Sequence, residues 1–213
     1  MEVDAVVKLG GSLIRDGVID ENMQTLTDLK DEHNIVVVIG GGELADGVRS
    51  FSSEYEISAS TAHWTAIKCM ELNTEMINDL EDSTEIVNSV DQVSKAFQDE
   101  KIVLMKTEKF MKSLEHDQSW ELTSDSISGL LAEKLGADRL VIATDVDGIY
   151  SDDKLITEMS AEESLNYGNT CIDGQLPGIM KENDISCTVV SGKKSRRLEK
   201  AVAGEKVKGT HIE

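Results

Sequence analysis

Short apolar runs that end in glycine or small polar residues recur along this chain. Runs of this length, rich in Val, Ile and Leu, are typical of buried β-strands. The pattern predicts strands at residues 3–9, 35–39, 102–105, 139–143 and 186–190. Because these runs are apolar at nearly every position, we expect helices to cover both faces of the sheet.

Segments with apolar residues about three or four positions apart lie between these strands. In residues 20–32, Met23, Leu26 and Leu29 follow an acidic first turn, which indicates an amphipathic helix. The same kind of spacing predicts helices at 43–51, 58–80, 127–135 and 195–203. Alternating strands and helices favour an α/β fold, specifically a three-layer αβα sandwich with a mostly parallel central sheet.

Residues 81–125 fit neither pattern well outside the strand at 102–105, because most of their positions are polar. We interpret this segment as a lid or a variable insertion. The chain shows no internal repeat and no stretch with the composition of a linker. We therefore expect a single domain over residues 1–213.

The charge of the chain limits the partners that it can bind. It carries 41 Asp and Glu against 21 Lys and Arg, which gives a formal net charge of −20 at pH 7. Such a chain suits neither nucleic acid nor an anionic membrane, so we expect neither as a partner. Residues 181–213 depart from this balance, with 8 basic and 5 acidic residues. This local excess indicates either a solvated helix face or an edge that attracts anions.

Cysteine usage and the N-terminal residues favour a cytoplasmic protein. The three cysteines, Cys69, Cys171 and Cys187, are far apart in the chain and odd in number, which fits a reducing compartment. The first residues lack the basic region of a signal peptide. No apolar run approaches the roughly 20 residues that a membrane span needs.

Three of the predicted strands end in turns that suit phosphate or nucleoside binding. In open α/β sheets, ligands bind beyond the carboxyl ends of the strands, so these turns should gather at one edge. The first turn, at 8–12, reads KLGGS and combines an ammonium group with glycines whose N–H groups can approach an anion closely. A plain tight turn with a surface lysine is the alternative for this turn alone.

The other two turns follow the strands at 35–39 and 139–143. Residues 40–42 are three successive glycines, whose entropic cost on folding would be offset by close approach to a ligand. A flexible connection is the alternative. Residues 144–150 read TDVDGIY, and their hydroxyl, carboxylate and phenol groups suit hydrogen bonds to a nucleoside. A calcium loop is excluded because it needs glycine at its sixth position, whereas Gly148 is fourth counting from Asp145.

Several other kinds of site are excluded by missing motifs. The chain contains no GxxxxGK[ST], GxGxxG, GxSxG, HExxH or CxxC pattern. Its four histidines are scattered, which favours solvent-facing or capped histidines over metal ligands. We therefore expect no metal site built from protein side chains.

Five motifs occur in an order that resembles the amino acid kinase superfamily. They are KLGGS (8–12), GGG (40–42), TSDSIS (123–128), TDVDGIY (144–150) and a terminal GTxI (209–212). Each motif is weak alone, but together they cover nearly the whole chain. The resemblance implies two lobes, one for the acceptor at about 1–135 and one for ATP at about 136–213. It also implies an ATP-dependent phosphotransferase that uses Mg²⁺, and a homodimer or higher homo-oligomer.

The resemblance assigns roles to individual residues. Lys8 corresponds to the lysine that stabilises the transferring phosphoryl group, and Asp125 to the aspartate that orients it. The implied ATP contacts are Lys8, Gly10, Gly11, Ser12, Gly42, Thr144, Asp145, Asp147, Gly148 and Tyr150. Gly41 and Thr123 are the implied contacts to the acceptor. Phosphoryl transfer needs mainly positioning and charge stabilisation, which a lysine beside a glycine turn supplies.

The sequence departs from the superfamily pattern at two places. The later GGMxxK motif, which supplies a second lysine in acetylglutamate kinases, is absent, and the corresponding region, 171–174, reads CIDG. Lys181 is our candidate for this second catalytic lysine, with Lys154 as the alternative. The histidine that isopentenyl phosphate kinases carry after the GGG loop is also missing.

Two segments, GGGELADGVR (40–49) and AHWTAI (62–67), look like a small archaeal branch of the superfamily. That branch phosphorylates 5-(aminomethyl)-3-furanmethanol phosphate to a diphosphate in methanofuran biosynthesis. It implies that Asp46, Arg49, His63 and Trp64 line the acceptor pocket. Arg49 would pair with the acceptor phosphate, and Trp64 would stack on the furan ring. Helix packing is the alternative for His63-Trp64.

Two alternatives to the furan phosphate kinase remain open on the sequence. One is a kinase of another small acceptor, such as UMP, isopentenyl phosphate or an amino acid carboxylate. The other is a non-catalytic nucleotide- or oxyanion-binding protein of the same fold. In every case the phosphates would be held by local groups. The acidic surface is then interpreted as an adaptation to a cytoplasm of high salt.

Overall fold

A mostly parallel sheet is the central layer of the computed structural model, which describes residues 2–167 and 170–213. The strands are β1 (Ala5–Leu9), β2 (Ile35–Ile39), β3 (Thr84–Val87), β4 (Ile102–Met105), β5 (Arg139–Thr144), β6 (Tyr150–Ser151), β7 (Lys154–Leu155), β8 (Glu158–Met159), β9 (Cys187–Ser191) and β10 (Thr210–Ile212). In the main sheet they occur in the spatial order β3-β4-β2-β1-β5-β9-β10-β8, with β9 and β10 antiparallel. The strands β6 and β7 form a separate antiparallel hairpin.

Helices form the outer layers on both faces of this sheet. They are α1 (Gly11–Arg15), α2 (Ile19–Leu29), α3 (Gly42–Tyr55), α4 (Ala59–Asn78), α5 (Val93–Gln98), α6 (Glu108–Lys112), α7 (Ser124–Leu135), α8 (Ala161–Ser164), α9 (Leu176–Asn183) and α10 (Ser195–Val202). The predicted αβα sandwich with a mostly parallel sheet is therefore confirmed.

The alternation of side chains along β1 shows how the two faces are filled. Val7 and Leu9 belong to a core cluster that includes residues of α1, α2 and α10. Val6 belongs to a second cluster, which includes residues of α4, α5, α7 and α9. Successive residues of a strand point to opposite faces, so Lys8 shares the face of Val6 and lies under α7.

The predicted bounds agree with the structure for most elements, but the interpretation of 81–125 as a lid or insertion is wrong. This segment supplies β3 and β4, which form one edge of the main sheet. Its signal was weak because β3 is only four residues long and half-exposed at its two middle positions. The division into an acceptor lobe and an ATP lobe near residue 135 stays a prediction. The main sheet contains strands from both sides of this position.

The glycine turns that follow β1 and β2 pack directly against each other. A Cβ atom on Gly11 would lie 2.2 Å from the Cα of Gly42, and one on Gly40 would lie 2.8 Å from the N of Gly11. Gly42 also has a positive φ of 53°, a backbone conformation that favours glycine. These glycines are therefore required by the contact between the two turns, even without a ligand.

In the described part of the chain, no helix combines the length and the apolar character that are needed to cross a membrane.

Replacing Gly11 should test the contact between the turns. Gly11→Ala is expected to lower the free energy of unfolding by about 3 kcal/mol, because the new methyl group overlaps the backbone of Gly42. Gly47→Ala, in α3, has nothing within 4 Å of its added Cβ. This control should raise stability by about 0.5–1 kcal/mol, since alanine is the better helix former. Urea titration measures both values, and equal effects at the two positions would contradict this account.

Candidate active site

A buried ion pair between Lys8 and Asp125 lies at the carboxyl end of β1. The Nζ of Lys8 is 2.7 Å from Oδ1 of Asp125, which belongs to the first turn of α7. Lys8 is only 7% exposed and Asp125 only 5%. The Nζ also lies 3.5 Å from the position of a Cβ on Gly10. The structure thus brings together the lysine, the aspartate and the first glycine turn.

The environment of Asp125 acts on its pKa in opposing ways. Burial raises the pKa of the Asp125 carboxyl above its usual range, the Lys8 ammonium lowers it, and the nearby Asp173 carboxylate raises it. Ion pairs in such a place cost desolvation and seldom add net stability. A contribution to folding therefore does not account for the ion pair well. A role of the Lys8 ammonium in the chemistry of the site explains it better.

Three helices begin around one cavity beside this pair. The cavity has a volume of about 250 Å³ and is lined by the first residues of α1, α3 and α7 or those just before them. The N-terminus of a helix carries a partial positive charge and attracts anions. Of the residues predicted for the site, the cavity is lined by Lys8, Gly10, Gly11, Ser12, Gly41, Gly42, Asp46, Arg49, His63 and Thr123.

The outer part of the cavity combines a cation, a carboxylate and an aromatic ring. Asp46 and Arg49 extend from α3, and Trp120 belongs to the loop before α7. The guanidinium carbon of Arg49 lies 4.8 Å from the centre of the Trp120 ring, which is a cation–π distance. This arrangement suits a small ligand that has both a charged group and a planar ring.

His63 anchors the loop that carries Trp120. Its Nδ1 is 3.2 Å from the carbonyl oxygen of Ser119, and its Nε2 is 3.1 Å from Nε2 of His116. Burial lowers the pKa of His63 below its ordinary value. His63 therefore lines the cavity and also supports its wall.

The expectation that Trp64 lines the acceptor pocket needs correction. Trp64 packs against the core cluster under α4, and its ring meets those of His63 and His116 edge-on. Consecutive residues of a helix point about 100° apart, so His63 and Trp64 do not share a direction. The structure places Trp120 in the cavity where Trp64 was expected.

The predicted nucleoside segment lies beside the cavity but does not line it. Thr144 ends β5 and donates a hydrogen bond of 3.2 Å from its Oγ1 to Oδ1 of Asp145. The other carboxylate oxygen of Asp145 is 3.3 Å from a guanidinium nitrogen of Arg15, which does line the cavity. Tyr150 is 47% exposed. Arg15 thus connects this segment to the Lys8 cavity.

Asp147 and Gly148 make contacts that hold the same segment to the C-terminal residues. The Asp147 carboxylate pairs with Arg197 and, at 2.6 Å, with Lys208. A Cβ on Gly148 would lie 2.4 Å from Oγ1 of Thr210. These two residues therefore have a packing role, and their contact with a nucleotide stays a prediction.

The model of the amino acid kinase family matches residues 5–191. The chain belongs to the amino acid kinase family. The order of glycine turns, lysine and aspartate described above is consistent with this membership.

The relatives of this chain are named as kinases of small molecules. It is 32% identical to the [5-(aminomethyl)furan-3-yl]methyl phosphate kinase of Methanocaldococcus jannaschii over 94% of this chain and 93% of the relative. It is 28% identical to the uridylate kinase of Pyrococcus abyssi over 98% of both chains. The crystal structure of uridylate kinase from Archaeoglobus fulgidus superposes with a TM-score of 0.80 at 25% identity, covering 99% of this chain and 100% of that one. The protein is therefore a small-molecule kinase.

The structure does not bring either candidate for the second lysine of this kinase to the cavity. Lys181 lies in α9, is exposed, and has its Nζ 3.3 Å from Oε1 of Glu162. It lines a different cavity, between α8 and the end of α7. Lys154 is exposed in the β6–β7 hairpin. Among the described residues, Arg15 and Arg49 are the cations that line the Lys8 cavity beside Lys8 itself.

Sequence reasoning missed Arg15, Trp120 and Asp173. Arg15 is a single charge at the end of a short helix, and Trp120 lies in the segment that we could not assign. Asp173 lies where the family motif is missing, and its backbone N–H donates to Oδ2 of Asp125 at 3.1 Å. An acidic residue shortly before Pro177, at the start of α9, was the available signal for a helix cap.

The contacts of Asp147 predict a pH dependence of this kinase's stability. Hydrogen bonds from Lys208 and Arg197 hold the pKa of the Asp147 carboxyl below the ordinary value of an aspartate. A carboxyl whose pKa is lowered on folding stabilises the native state above its unfolded pKa, and this contribution disappears as pH falls through the folded value.

Asp147→Asn should therefore lower the free energy of unfolding by about 1 kcal/mol at pH 7, and by progressively less below about pH 4. Urea titrations between pH 7 and about pH 2, which extends below the lowered pKa of the folded state, measure the difference. Glu182→Gln, at an exposed position of α9, is the control and should leave the pH profile of stability unchanged. A deficit for Asp147→Asn that persists at the acidic end would refute the assignment.

Proposed function

We propose that this kinase transfers the γ-phosphoryl group of ATP to [5-(aminomethyl)furan-3-yl]methyl phosphate, giving ADP and the corresponding diphosphate. The observation that carries the proposal is the cavity in which the Lys8–Asp125 pair meets the N-termini of α1, α3 and α7. A lysine and three helix N-termini stabilise the negative charge that is shared among donor, transferring group and acceptor.

The donor side of the proposed site is formed by the glycine turns. ATP would place its phosphates against Gly10, Gly11, Ser12 and Gly42, where no side chain blocks the approach to the backbone N–H groups. Lys8 would contact the γ-phosphoryl group, held in position by Asp125. Thr144, Asp145 and Tyr150 would contact the nucleoside part, with Arg15 between them and the phosphates.

We propose that Mg²⁺ accompanies ATP. Within residues 2–167 and 170–213, no group of three or more His, Cys, Asp or Glu side chains forms a metal site. The ion would accordingly be held mainly by phosphate oxygens, as is common for Mg²⁺ in phosphoryl transfer. Its chemistry is to neutralise charge on the β- and γ-phosphates while Lys8 orients the transferring group.

The acceptor side of the proposed site matches the three parts of the furan phosphate. The guanidinium of Arg49 suits a phosphate, which it can bind with two parallel hydrogen bonds. The ring of Trp120 suits a planar furan. The carboxylate of Asp46 suits the ammonium of the aminomethyl group. Gly41 and Thr123 line the cavity between these groups and Lys8.

UMP is the second candidate acceptor, favoured by the similarity to uridylate kinases in sequence and fold. UMP shares the phosphate and the planar ring with the furan phosphate but has no ammonium group. Asp46, an acidic residue that lines the cavity, would have a matching ammonium group in the furan compound and none in UMP. This difference makes the furan phosphate our first choice.

We also propose that two copies of the chain associate through α3, in the cytoplasm. Although α3 spans 14 residues, none of its residues is buried. Leu44, Phe51 and Tyr55 of this helix are 42%, 53% and 60% exposed. Such a row of exposed apolar side chains is typical of an interface. The three cysteines are free thiols, which fits a reducing compartment.

A panel of phosphate acceptors tests the proposed reaction. With ATP and Mg²⁺, the furan phosphate should be converted to its diphosphate with a kcat/KM at least about 10-fold above those of UMP and isopentenyl phosphate, because one well-placed ionic contact contributes about 1.5–3 kcal/mol. Product masses and ADP release measure this. Lys8→Met should lower kcat by about 10²–10³-fold, as removal of one transition-state contact does.

The acceptor assignment has its own variant in the same assay. Arg49→Met should raise the KM for the acceptor by about 10-fold or more and leave the KM for ATP nearly unchanged, since it removes a charged contact from one side of the cavity. Arg196→Met, on α10, is the matched control and should behave like wild type. Faster turnover of UMP than of the furan phosphate would overturn the substrate assignment while leaving the kinase chemistry intact.

Phe51→Glu tests the association of two copies. A charge in the exposed apolar row of α3 should convert a dimer into a monomer, because a buried unpaired carboxylate costs several kcal/mol. Light scattering coupled to gel filtration gives the mass of each species. Glu54→Gln, three residues further along the same helix, serves as the control and should remain dimeric. A wild-type protein that is monomeric at high concentration contradicts the proposal.

A further inference from the structure

The carboxylate of Asp173 joins the N-termini of two helices. Its Oδ2 accepts hydrogen bonds from the N–H of Thr123 at 2.9 Å, the Oγ1 of Thr123 at 2.8 Å and the N–H of Ser126 at 3.0 Å. Its Oδ1 accepts from the hydroxyl of Ser126 and from the N–H groups of Gln175 and Leu176, at 3.3 Å and 3.1 Å. All six partners are donors.

These bonds replace the caps that α7 and α9 lack. Neither Thr123, the N-cap of α7, nor Gln175, the N-cap of α9, makes a side-chain cap hydrogen bond of its own. The first N–H groups of a helix have no partner within the helix and need an acceptor from elsewhere. A carboxylate at two helix N-termini also gains from both helix dipoles. Asp173 thus fixes how α7 begins.

The start of α7 carries Asp125, and Asp173 also contacts that residue directly. The backbone N–H of Asp173 donates to Oδ2 of Asp125 at 3.1 Å, while Oδ1 of Asp125 faces Lys8 at 2.7 Å. One oxygen of Asp125 is therefore held by Asp173 and the other meets the lysine. This arrangement determines both where the carboxylate lies and how it is rotated.

We propose that Asp173 is a positioning residue for phosphoryl transfer, which sets the position of the Lys8 ammonium through Asp125. The inference rests on the proposed role of Lys8 in the transfer, but not on which acceptor is used. Asp173 lies in the CIDG segment, at the place where the second-lysine motif was expected. In this chain the CIDG segment would act on the first lysine, Lys8, instead of supplying a second one.

Asp173→Asn is the test variant. Both side-chain oxygens of Asp173 accept hydrogen bonds, whereas the NH2 group of asparagine is a donor and would face other donors. We expect kcat to fall by about 10²-fold, the effect of a small displacement of a catalytic group, with the KM for ATP changed little. A double-mutant cycle with Asp125→Asn separates this role from a structural one. If Asp173 acts through Asp125, the second substitution should add little to the loss of kcat.

The measurements are acceptor turnover and the slower hydrolysis of ATP without acceptor, since both depend on Lys8. If Asp173→Asn does not fold, Ser126→Ala is the second test variant. It removes one hydrogen bond to Oδ1 of Asp173 and should cause a smaller loss of kcat. Glu163→Gln is the matched control, because Glu163 completes the capping box of α8. It should lower the melting temperature but leave kcat unchanged.

The outcomes distinguish the positioning role of Asp173 from the proposed function. A kcat of Asp173→Asn near wild type, or a loss that multiplies with that of Asp125→Asn, would overturn the positioning role. If the wild-type protein hydrolyses ATP but does not turn over the furan phosphate, the proposed acceptor alone is refuted. The double-mutant cycle is then completed by measuring the rate of ATP hydrolysis. A wild-type protein that cleaves no ATP with any acceptor or with water refutes both.

Discussion

Backbone contact between the glycine turns after β1 and β2 is the constraint on which the rest of the site depends. With a Cβ on Gly11 only 2.2 Å from the Cα of Gly42, the two turns lie closer than any side chain would allow. This contact places the beginnings of α1 and α3 side by side at the end of the sheet. Because Lys8 is on β1, just before the first turn, its ammonium lies where the two helices begin.

The same geometry explains how a chain of net charge −20 can hold phosphates. Interactions between exposed charges are screened over about 8–10 Å in salt, whereas a buried lysine and oriented N–H groups act at contact distance. The basic residues near the C-terminus contribute less directly. Several are engaged with acidic neighbours, as Lys193 is with Asp16 and Lys208 with Asp147, so they hold the fold together around the site.

Sequence reasoning recovered the parts of the fold and site that depend on local pattern. Strands such as β2, five apolar residues closed by glycines, are readable because burial on both faces leaves no polar position. Lys8 was found because it stands next to glycines. The glycines themselves were assigned to ligand approach, while the structure shows that contact between turns already requires them. That requirement joins Gly11 and Gly42, which are far apart in the chain, and it has no local signal.

The predictions that differ from the structure concern residues whose positions depend on tertiary contacts. The resemblance of the AHWTAI segment to one branch of the superfamily places Trp64 in the acceptor pocket, but the direction of a helical side chain depends on how the helix is rotated against the sheet. Lys181 and Lys154 are candidates because the motif that supplies a second lysine is absent, and the pairing of Lys181 with Glu162 is not visible in the pattern. Residues 81–125 were misjudged because a short edge strand has few apolar positions.

The proposed donor and acceptor sides of the cavity differ in what forms them, and this bears on substrate choice. The donor side consists largely of backbone, at strand ends and helix starts, so many sequences with glycine at a few positions can form it. The acceptor side consists of side chains on α3, α4 and the loop before α7: Asp46, Arg49, His63 and Trp120. We expect substitutions there to change the acceptor without disturbing the sheet. Relatives of similar fold bear the names of different acceptors, and we propose that specificity in this chain depends on those four side chains.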